Sequence, residues 1–328
     1  MGDPAGIGPE LILKAFRHHG ISDLCKVVVI GSTNVLEYYG RKLSLGLDLK
    51  TIGDISEARF SKDTIHIVEP YGFDTEKLTI GRVNSECGKA AVIYTETAGR
   101  LALSGEIDAI VSAPLNKEAM HEAGYDYEGQ TQILAELSGA RVYGMILVLG
   151  HVRVMMLTTH IALRRACEAV TEDRVYSMLR LSYETLRGFG FEAPRIAVAA
   201  LNPHGGEGGL FGTEEIHESI PAIERARKEG IDVKGPVPAD VVFLQARDEE
   251  YDLVLAMYHD QANMAAKMLG FGEVVTVLAG LPIIRTSVGH GTAFDIAGKG
   301  IARENNFVRA IETAVDLARG KKAGKAGV

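Results

Sequence analysis

The chain has 328 residues, of which 46% are hydrophobic and 24% are charged, and its formal net charge is −8 at pH 7. This length predicts two domains, and the composition is typical of a soluble globular protein. The acidic balance argues against sequence-independent binding of nucleic acid, no apolar run approaches the roughly 20 residues of a membrane span, and the first residues lack the features of a signal peptide.

Strand-like and helix-like segments alternate along the chain. Apolar runs predict strands at 26–31, 64–69, 107–112, 144–150, 152–158, 195–201, 252–257 and 273–278. Helical periodicity is found at 9–18, 87–104, 116–123, 131–137, 172–188, 213–228, 260–269 and 306–319. This order predicts an α/β protein with mostly parallel sheets covered on both faces. The quick turn within 147–154 predicts an antiparallel hairpin or arm.

The cysteines indicate the cellular compartment. Cys25, Cys87 and Cys167 have no paired spacing, which is typical of reduced thiols rather than of a disulfide framework. We therefore expect a cytoplasmic protein.

Three of the apolar runs end on a histidine. The runs lead to His160, His204 and His259, and in an open α/β sheet ligands bind just beyond the carboxyl ends of the strands. Three imidazoles at that edge suit a divalent metal with open coordination positions. The alternative is three unrelated histidines in surface loops, but the repetition of the pattern favours the metal site.

A glycine-rich segment lies near the C-terminus, from His290 to Ile301. Its glycines at 291, 298 and 300 permit close approach of the backbone to a ligand. Asp295 supplies a carboxylate that could accept hydrogen bonds from ribose hydroxyls, as an acidic residue does in NAD sites. A loop with a solvated aspartate is the alternative that the spacing alone leaves open.

These motifs together resemble a known family. The segment from His290 resembles the adenosine-binding loop of the isocitrate/isopropylmalate dehydrogenases, and nearly the whole chain resembles the 4-hydroxythreonine-4-phosphate dehydrogenase family, which shares that fold. The matching segments are Met1-Gly-Asp-Pro-Ala-Gly-Ile-Gly-Pro-Glu10, Ser112-Ala-Pro-Leu-Asn-Lys117, Thr159-His160, Asn202-Pro-His204 with Gly206-Glu207, Pro238-Ala-Asp240, Tyr258-His-Asp-Gln261 and Gly280-Leu-Pro-Ile-Ile-Arg-Thr-Ser287.

The resemblance implies two interleaved α/β/α domains with the active site in the cleft between them. We expect residues 1–125 and 270–328 to form a cofactor-binding domain, and 126–269 to form a domain for metal and substrate binding and for dimerisation. The implied cofactors are NAD and a divalent metal, with zinc first and magnesium, manganese or cobalt as alternatives. The implied assembly is a homodimer with shared active sites.

The resemblance also assigns roles to individual residues. It implies His160, His204 and His259 as metal ligands, His290, Gly291, Thr292 and Asp295 as cofactor contacts, and Gln130, Thr131, Lys267, Thr276 and Arg285 as substrate contacts. Lys267 and Arg285 would hold phosphate or carboxylate oxygens, although Lys267 could also be a plain exposed helix residue.

Three further residues are candidates for proton transfer or for orienting a ligand. Lys117 is a candidate general acid or base, and Asp240 and Asp260 are candidates to orient metal-binding histidines. The alternatives are a solvated charge at a helix start for Lys117 and solvated loop carboxylates for the two aspartates.

The chain departs from the family pattern beside the substrate. Gln130 replaces the histidine of a Gly-His-Thr motif, Thr276 replaces an asparagine, and Gly289 replaces an aspartate. An amide cannot carry the charge of an imidazolium, so these departures predict altered discrimination between substrates.

The implied reaction is the NAD-dependent oxidation, with decarboxylation, of a 3-hydroxy acid that is phosphorylated or multiply anionic. Within the family, D-erythronate 4-phosphate, D-threonate 4-phosphate or a cyclic cis-dihydrodiol dicarboxylate are alternative substrates. A different class is acyl transfer to phosphate, as in phosphotransacetylases, which have a similar fold but would need neither the three histidines nor the Asp295 segment.

Overall fold

The chain folds into two units, and each unit draws on two stretches of sequence. The computed structural model describes residues 1–18, 20–61, 64–270 and 272–325. Unit 1 comprises Met1–Arg141 and Leu281–Asp316, and unit 2 comprises Val142–Gly280 and the residues from Leu317 on. The prediction of interleaved α/β structure is confirmed, whereas the functional roles expected for 1–125 with 270–328 and for 126–269 stay predictions.

The strands and helices are numbered in chain order. The strands are β1 Val28–Ile30, β2 Asp48–Ile52, β3 Thr64–Val68, β4 Ala109–Ser112, β5 Gly144–Leu149, β6 Val152–Met156, β7 Arg195–Ala199, β8 Asp232–Val237, β9 Leu253–Ala256, β10 Val275–Ala279 and β11 Ile284–Val288. The helices are α1 Gly8–His18, α2 Ile21–Leu24, α3 Thr33–Lys42, α4 Ser85–Ser104, α5 Lys117–Glu122, α6 Gln130–Ser138, α7 Leu163–Glu168, α8 Glu172–Gly188, α9 Ile220–Lys228, α10 Ala239–Arg247, α11 His259–Leu269 and α12 Asn305–Lys325. A π-helical turn, Glu215–Ser219, precedes α9.

Unit 1 contains parallel strand pairs and a helical layer. β3 lies between β1 and β2 and is parallel to both, and β4 pairs in parallel with β11. Val92, Met120 and Ile133 form a buried cluster that joins α4, α5 and α6. These helices therefore fix the segment between β4 and α6, which carries several of the candidate residues.

Unit 2 is built on strands in the order β10-β5-β6-β9-β7-β8. β6, β9, β7 and β8 are parallel to their neighbours, whereas β5 is antiparallel to both β6 and β10. The hairpin expected within 147–154 is therefore confirmed as the β5–β6 turn. Buried apolar residues on β6, β7 and β9 pack against α10 and α11, as the alternation of strands and helices predicts.

Three strands were not predicted, and each lacks a continuous apolar run. β2 is largely exposed, and β8 contains Gly235 and Pro236, pairs with β7 and has a register shift there. Gly and Pro within a run argue against a strand except at an edge or a bulge. β11 reads Ile-Arg-Thr-Ser-Val and is buried throughout, because its polar side chains find hydrogen-bond partners within unit 1.

The helices agree only in part with those predicted from the sequence. α2, α3, α7 and α10 were not expected, and the helix expected over 213–228 is divided into the π-helical turn and α9. None of the described helices is both long and apolar enough to cross a bilayer.

Candidate functional site

Three neighbouring parallel strands of unit 2 lead to the three histidines. β9 lies between β6 and β7, and the strands are followed by His160 after β6, His259 at the start of α11 after β9, and His204 after β7. Because the carboxyl ends of parallel strands meet at one edge of a sheet, this topology delivers all three imidazoles to the same edge.

Two of the three histidines lie close together. The ring centroids of His160 and His259 are 5.5 Å apart. Nδ1 of His259 lies 2.7 Å from Oδ1 of Asp260, and such a contact fixes the ring and leaves Nε2 for a ligand. Across the described parts of the chain, no three His, Cys, Asp or Glu side chains are grouped closely enough to hold a metal ion. The metal assignment, including His204, stays a prediction.

His204 lies on a loop with an uncommon backbone. Every residue from His204 to Gly209 has a positive φ, including 54° at His204 and 46° at Glu207. Non-glycine residues rarely adopt this left-handed region, and they persist there only when the surroundings hold them. The glycines of this segment permit the turn, and His204 is exposed at its start.

The other candidates of unit 2 occupy varied environments. Asp240 is exposed in the first turn of α10, after β8. Lys267 is exposed in the last turn of α11, the helix that begins with His259. Thr276 is buried in β10 opposite Leu147 of β5. Their roles at a substrate stay predictions.

Arg285 is a buried cation in unit 1. It lies in β11 and is 5% exposed, with Nε donating to Ser112 Oγ at 3.1 Å and Nη2 donating to Gln130 Oε1 at 2.8 Å. Both partners are neutral, and within the described residues no carboxylate offsets its charge. Burial lowers the pKa of Arg285 to about 10, because the charged form loses hydration. A cation held in this way is suited to binding an anion.

Gln130 supports Arg285 from the start of α6. Its Nε2 donates to the carbonyl of Ala113 at 3.1 Å while its Oε1 accepts from Arg285. Both ends of the amide are therefore engaged within unit 1, and Thr131 follows it half-buried. Lys117 is exposed at the start of α5, where the Asn116 side chain caps the helix by accepting from Ala119 N.

The segment from His290 is anchored to the N-terminal glycine-rich segment. Ile7 N donates to Thr292 O at 3.0 Å, and the buried Glu10 carboxylate accepts from the backbone N–H groups of Gly300 and Ala302. His290, Gly291 and Asp295 are exposed, whereas Thr292 is buried. An anchored loop with an exposed carboxylate fits the ribose of a nucleotide cofactor.

Several residues that form hydrogen bonds around the candidate residues were not predicted from the sequence. Ser112 and Gln261 lie inside segments that match the family, and Glu10 is the last residue of the N-terminal matching segment. Their place in these segments could have identified them. Glu215 is a buried glutamate in an acidic run, and its spacing gave no signal.

Comparison with known proteins supplies relatives over almost the whole chain. A family model described as the pyridoxal phosphate biosynthetic protein PdxA matches residues 23–314. The D-threonate 4-phosphate dehydrogenase of Salmonella typhimurium is 44% identical over 319 residues, which cover 97% of each chain. The solved structure of 4-hydroxythreonine-4-phosphate dehydrogenase from Klebsiella pneumoniae matches with a TM-score of 0.91 and 42% identity, over 97% of this chain and 98% of that one. A terephthalate 1,2-cis-dihydrodiol dehydrogenase from Burkholderia xenovorans matches with a TM-score of 0.67 and 28% identity, over 95% and 96%.

Proposed function

The chain belongs to the PdxA family of dehydrogenases, and we propose that it oxidises a phosphorylated four-carbon hydroxy acid with NAD and a divalent metal. The predicted family and the predicted class of reaction, oxidation of a hydroxyl group, are confirmed. The names of these relatives favour oxidation over acyl transfer to phosphate. The substrate, the cofactors and the assembly are proposals.

The observation that carries the proposal is the neutral environment of Arg285. A buried guanidinium with two neutral partners, Ser112 and Gln130, keeps donors available for an anionic substrate. A phosphate or carboxylate would supply the missing negative charge, and charge-assisted bonds of this type are about twice as strong as neutral ones.

The remaining candidates have complementary roles in this proposal. His160, His204 and His259 would hold the metal, with zinc first, and Asp260 would orient His259. When bound, the metal would supply Lewis acidity for the substrate hydroxyl and for the carbonyl formed from it, and NAD would supply a hydride acceptor. Lys117 would accept the hydroxyl proton, Lys267 and Arg285 would hold the anionic groups, and Asp295 would accept from the cofactor ribose.

D-threonate 4-phosphate is the proposed substrate. Relatives at 44% identity carry that name, whereas a solved structure at 42% identity is named for 4-hydroxythreonine 4-phosphate. The replacements at Gln130, Thr276 and Gly289 favour a substrate other than the amino acid, because they change the polar and charged groups expected beside it.

A substrate screen tests the proposal. The purified protein is supplied with NAD, Zn²⁺ or Mn²⁺, and D-threonate 4-phosphate, D-erythronate 4-phosphate or 4-hydroxythreonine 4-phosphate, and NADH formation is followed by absorbance. We expect the D-threonate ester to give the highest kcat/KM, unphosphorylated D-threonate to be poor, and chelation to abolish turnover. Activity that is unaffected by chelation would contradict the proposed metal, and equal kcat/KM with unphosphorylated D-threonate would contradict the proposed phosphorylated substrate.

A cyclic cis-dihydrodiol dicarboxylate is the second candidate. It rests on the similarity to the terephthalate dihydrodiol dehydrogenase, which covers 95% of this chain at 28% identity. Such a substrate offers a carboxylate rather than a phosphate to Arg285. Adding this compound to the same screen discriminates between the two candidate substrates. A higher kcat/KM for the dicarboxylate than for D-threonate 4-phosphate would favour the second candidate.

Assembly and location complete the proposal. Unit 2 exposes large apolar side chains, among them Leu210, Met264 and Met268, which supports a homodimer that covers them. Light scattering at micromolar concentration measures this directly. Among the described residues Cys25, Cys87 and Cys167 are not joined by disulfides, as is typical of the proposed cytoplasmic location.

A further inference from the structure

Three strands of unit 2 lead to the histidines, and polar side chains connect the ends of these strands. The proposed function gives these side chains no role. Thr158 is 1% exposed, and its Oγ1 donates to Met257 O at 2.9 Å. This bond ties the end of β6, which leads to His160, to the end of β9, which leads to His259. A buried hydroxyl bonded across two strands fixes the spacing of both.

Gln261 makes the second connection, between the ends of β9 and β7. Its Oε1 accepts from Met257 N at 2.7 Å, and its Nε2 donates to Ala200 O at 2.9 Å. One amide thus links the turn before His259 to the strand end that leads to His204.

Glu215 makes the third connection, within the loop that carries His204. It is 1% exposed, and Oε1 accepts from Leu201 N at 2.8 Å and Asn202 N at 2.7 Å while Oε2 accepts from Asn202 Nδ2 at 2.9 Å. A Cβ added to Gly206 would lie 3.0 Å from Oε2 of Glu215, so the left-handed turn also packs against this carboxylate. Three donors compensate its burial.

We propose that Thr158, Gln261 and Glu215, here called the strand-end network, are positioning residues: they hold the strand ends and the loop that present His160, His259 and His204, the proposed metal ligands, in the assembled protein. The left-handed backbone at His204 requires support from its surroundings, and Glu215 supplies it. The inference rests on the proposed metal site, but the network residues are not themselves ligands. They act through the strand ends and the loop.

The test is Glu215→Gln, measured by Co²⁺ titration of the full chain in its native assembly. The amide keeps the shape but turns one acceptor into a donor, which would then face either Asn202 Nδ2 or the backbone N–H groups. We expect binding about 10–100-fold weaker than in the unmodified protein, the range found when partners that orient metal ligands are lost. We also expect a changed visible spectrum of bound Co²⁺ and turnover that recovers as Co²⁺ is raised.

Two reference variants make the outcome decisive. Glu224→Gln is the same change at an exposed position of α9, and it should leave affinity and spectrum unchanged. His204→Ala should weaken binding at least as much as Glu215→Gln. If His204→Ala weakens binding but a folded Glu215→Gln binds as the unmodified protein does, the positioning role is overturned and the metal site stands. If His204→Ala binds normally, both are overturned.

Thr158→Val keeps the test open if Glu215→Gln does not fold, as judged by circular dichroism. Valine has the shape of threonine but cannot donate to Met257 O. We expect weaker Co²⁺ binding and a shifted spectrum in the folded variant. Unchanged affinity and spectrum would overturn the network.

Discussion

The anion-binding role proposed for Arg285 conflicts with the burial of its charge. Its charge is desolvated and has only the neutral partners Ser112 and Gln130 among the described residues, and burying a charge without a counter-charge costs free energy that an apolar side chain does not cost. We expect Arg285→Met to keep or raise Tm while kcat/KM for the phosphorylated substrate falls by about 100-fold or more, as when a charged hydrogen bond of roughly 3 kcal/mol is lost. Thermal melting and steady-state kinetics measure the two effects. A loss of stability with intact activity would contradict the anion-binding role.

Gln130 contacts Arg285, because its amide oxygen accepts from the guanidinium, and we expect it to influence the proposed substrate through that arginine. Replacing it by histidine introduces a group that can become cationic next to Arg285. We expect Gln130→His combined with Thr276→Asn to raise kcat/KM for 4-hydroxythreonine 4-phosphate relative to D-threonate 4-phosphate. The ratio of the two values is the measurement. If the unmodified protein already turns over the amino-acid substrate at about 10⁴ M⁻¹s⁻¹ or more, these replacements do not set specificity.

Asp295 is the residue through which cofactor preference can be tested. Its exposed carboxylate can accept from the 2′-hydroxyl of NAD and repels a 2′-phosphate. We expect the unmodified protein to prefer NAD and Asp295→Asn to narrow the ratio of kcat/KM between NAD and NADP. A wild-type preference for NADP would exclude this assignment.

At the scale of elements, α4 and α5 approach each other at a glycine. A Cβ at Gly88 of α4 would lie 2.1 Å from the carbonyl oxygen of Ala119 in α5, and backbone atoms cannot move aside as a flexible side chain can. We expect Gly88→Ala to cost roughly 1–3 kcal/mol in the free energy of unfolding, as overpacking does. Urea denaturation measures it.

Gly188, at the end of α8, is the matched control for this prediction. A Cβ there meets no atom within 4 Å, and alanine is the better helix former by about 1 kcal/mol. We expect Gly188→Ala to be neutral or stabilising. If both variants lose a similar free energy of unfolding, the close approach of α4 and α5 is not the cause of the loss in Gly88→Ala.

At the scale of the whole molecule, Asp3 is expected to shape the dependence of stability on pH. It is fully buried, one of its oxygens has no hydrogen-bond partner among the described residues, and burial raises its pKa to about 7. Between its ordinary pKa near 4 and pH 7 the folded protein therefore binds a proton that the unfolded chain has lost, so this contribution to stability is lost as the pH rises through that window.

The measurement is Tm at pH 5 and pH 8. Tyr39 and Cys87 face Asp3, and burial together with its charge raises the pKa of both above their usual range, so neither adds a charge below pH 8. We expect Asp3→Asn to reduce the loss of Tm between pH 5 and pH 8 by a few degrees, whereas Asp126→Asn, at an exposed position, should not. If the difference in Tm between pH 5 and pH 8 is the same in Asp3→Asn as in the unmodified protein, Asp3 is not the source of that difference.

The alternation of strands and helices and the family could be predicted from the amino-acid sequence alone. Every strand expected from an apolar run is present, with bounds that differ by one or two residues at most, because the periodicity of burial is a local property of the chain. The placement of histidines after strands was readable for the same reason. The matching segments also identified the dehydrogenase class, which the relatives confirm.

The hydrogen-bond partners of the buried polar residues could be found only in the three-dimensional structure. β11 carries a buried arginine whose partner Gln130 is 155 positions away in sequence, and Glu215 supports a loop through donors that no spacing reveals. A polar residue in a sequence reads as exposed unless its partner is known, and partners distant along the chain meet only when the fold is complete. Strand order is decided in the same way, since pairing β9 between β6 and β7 depends on contacts that no local pattern encodes.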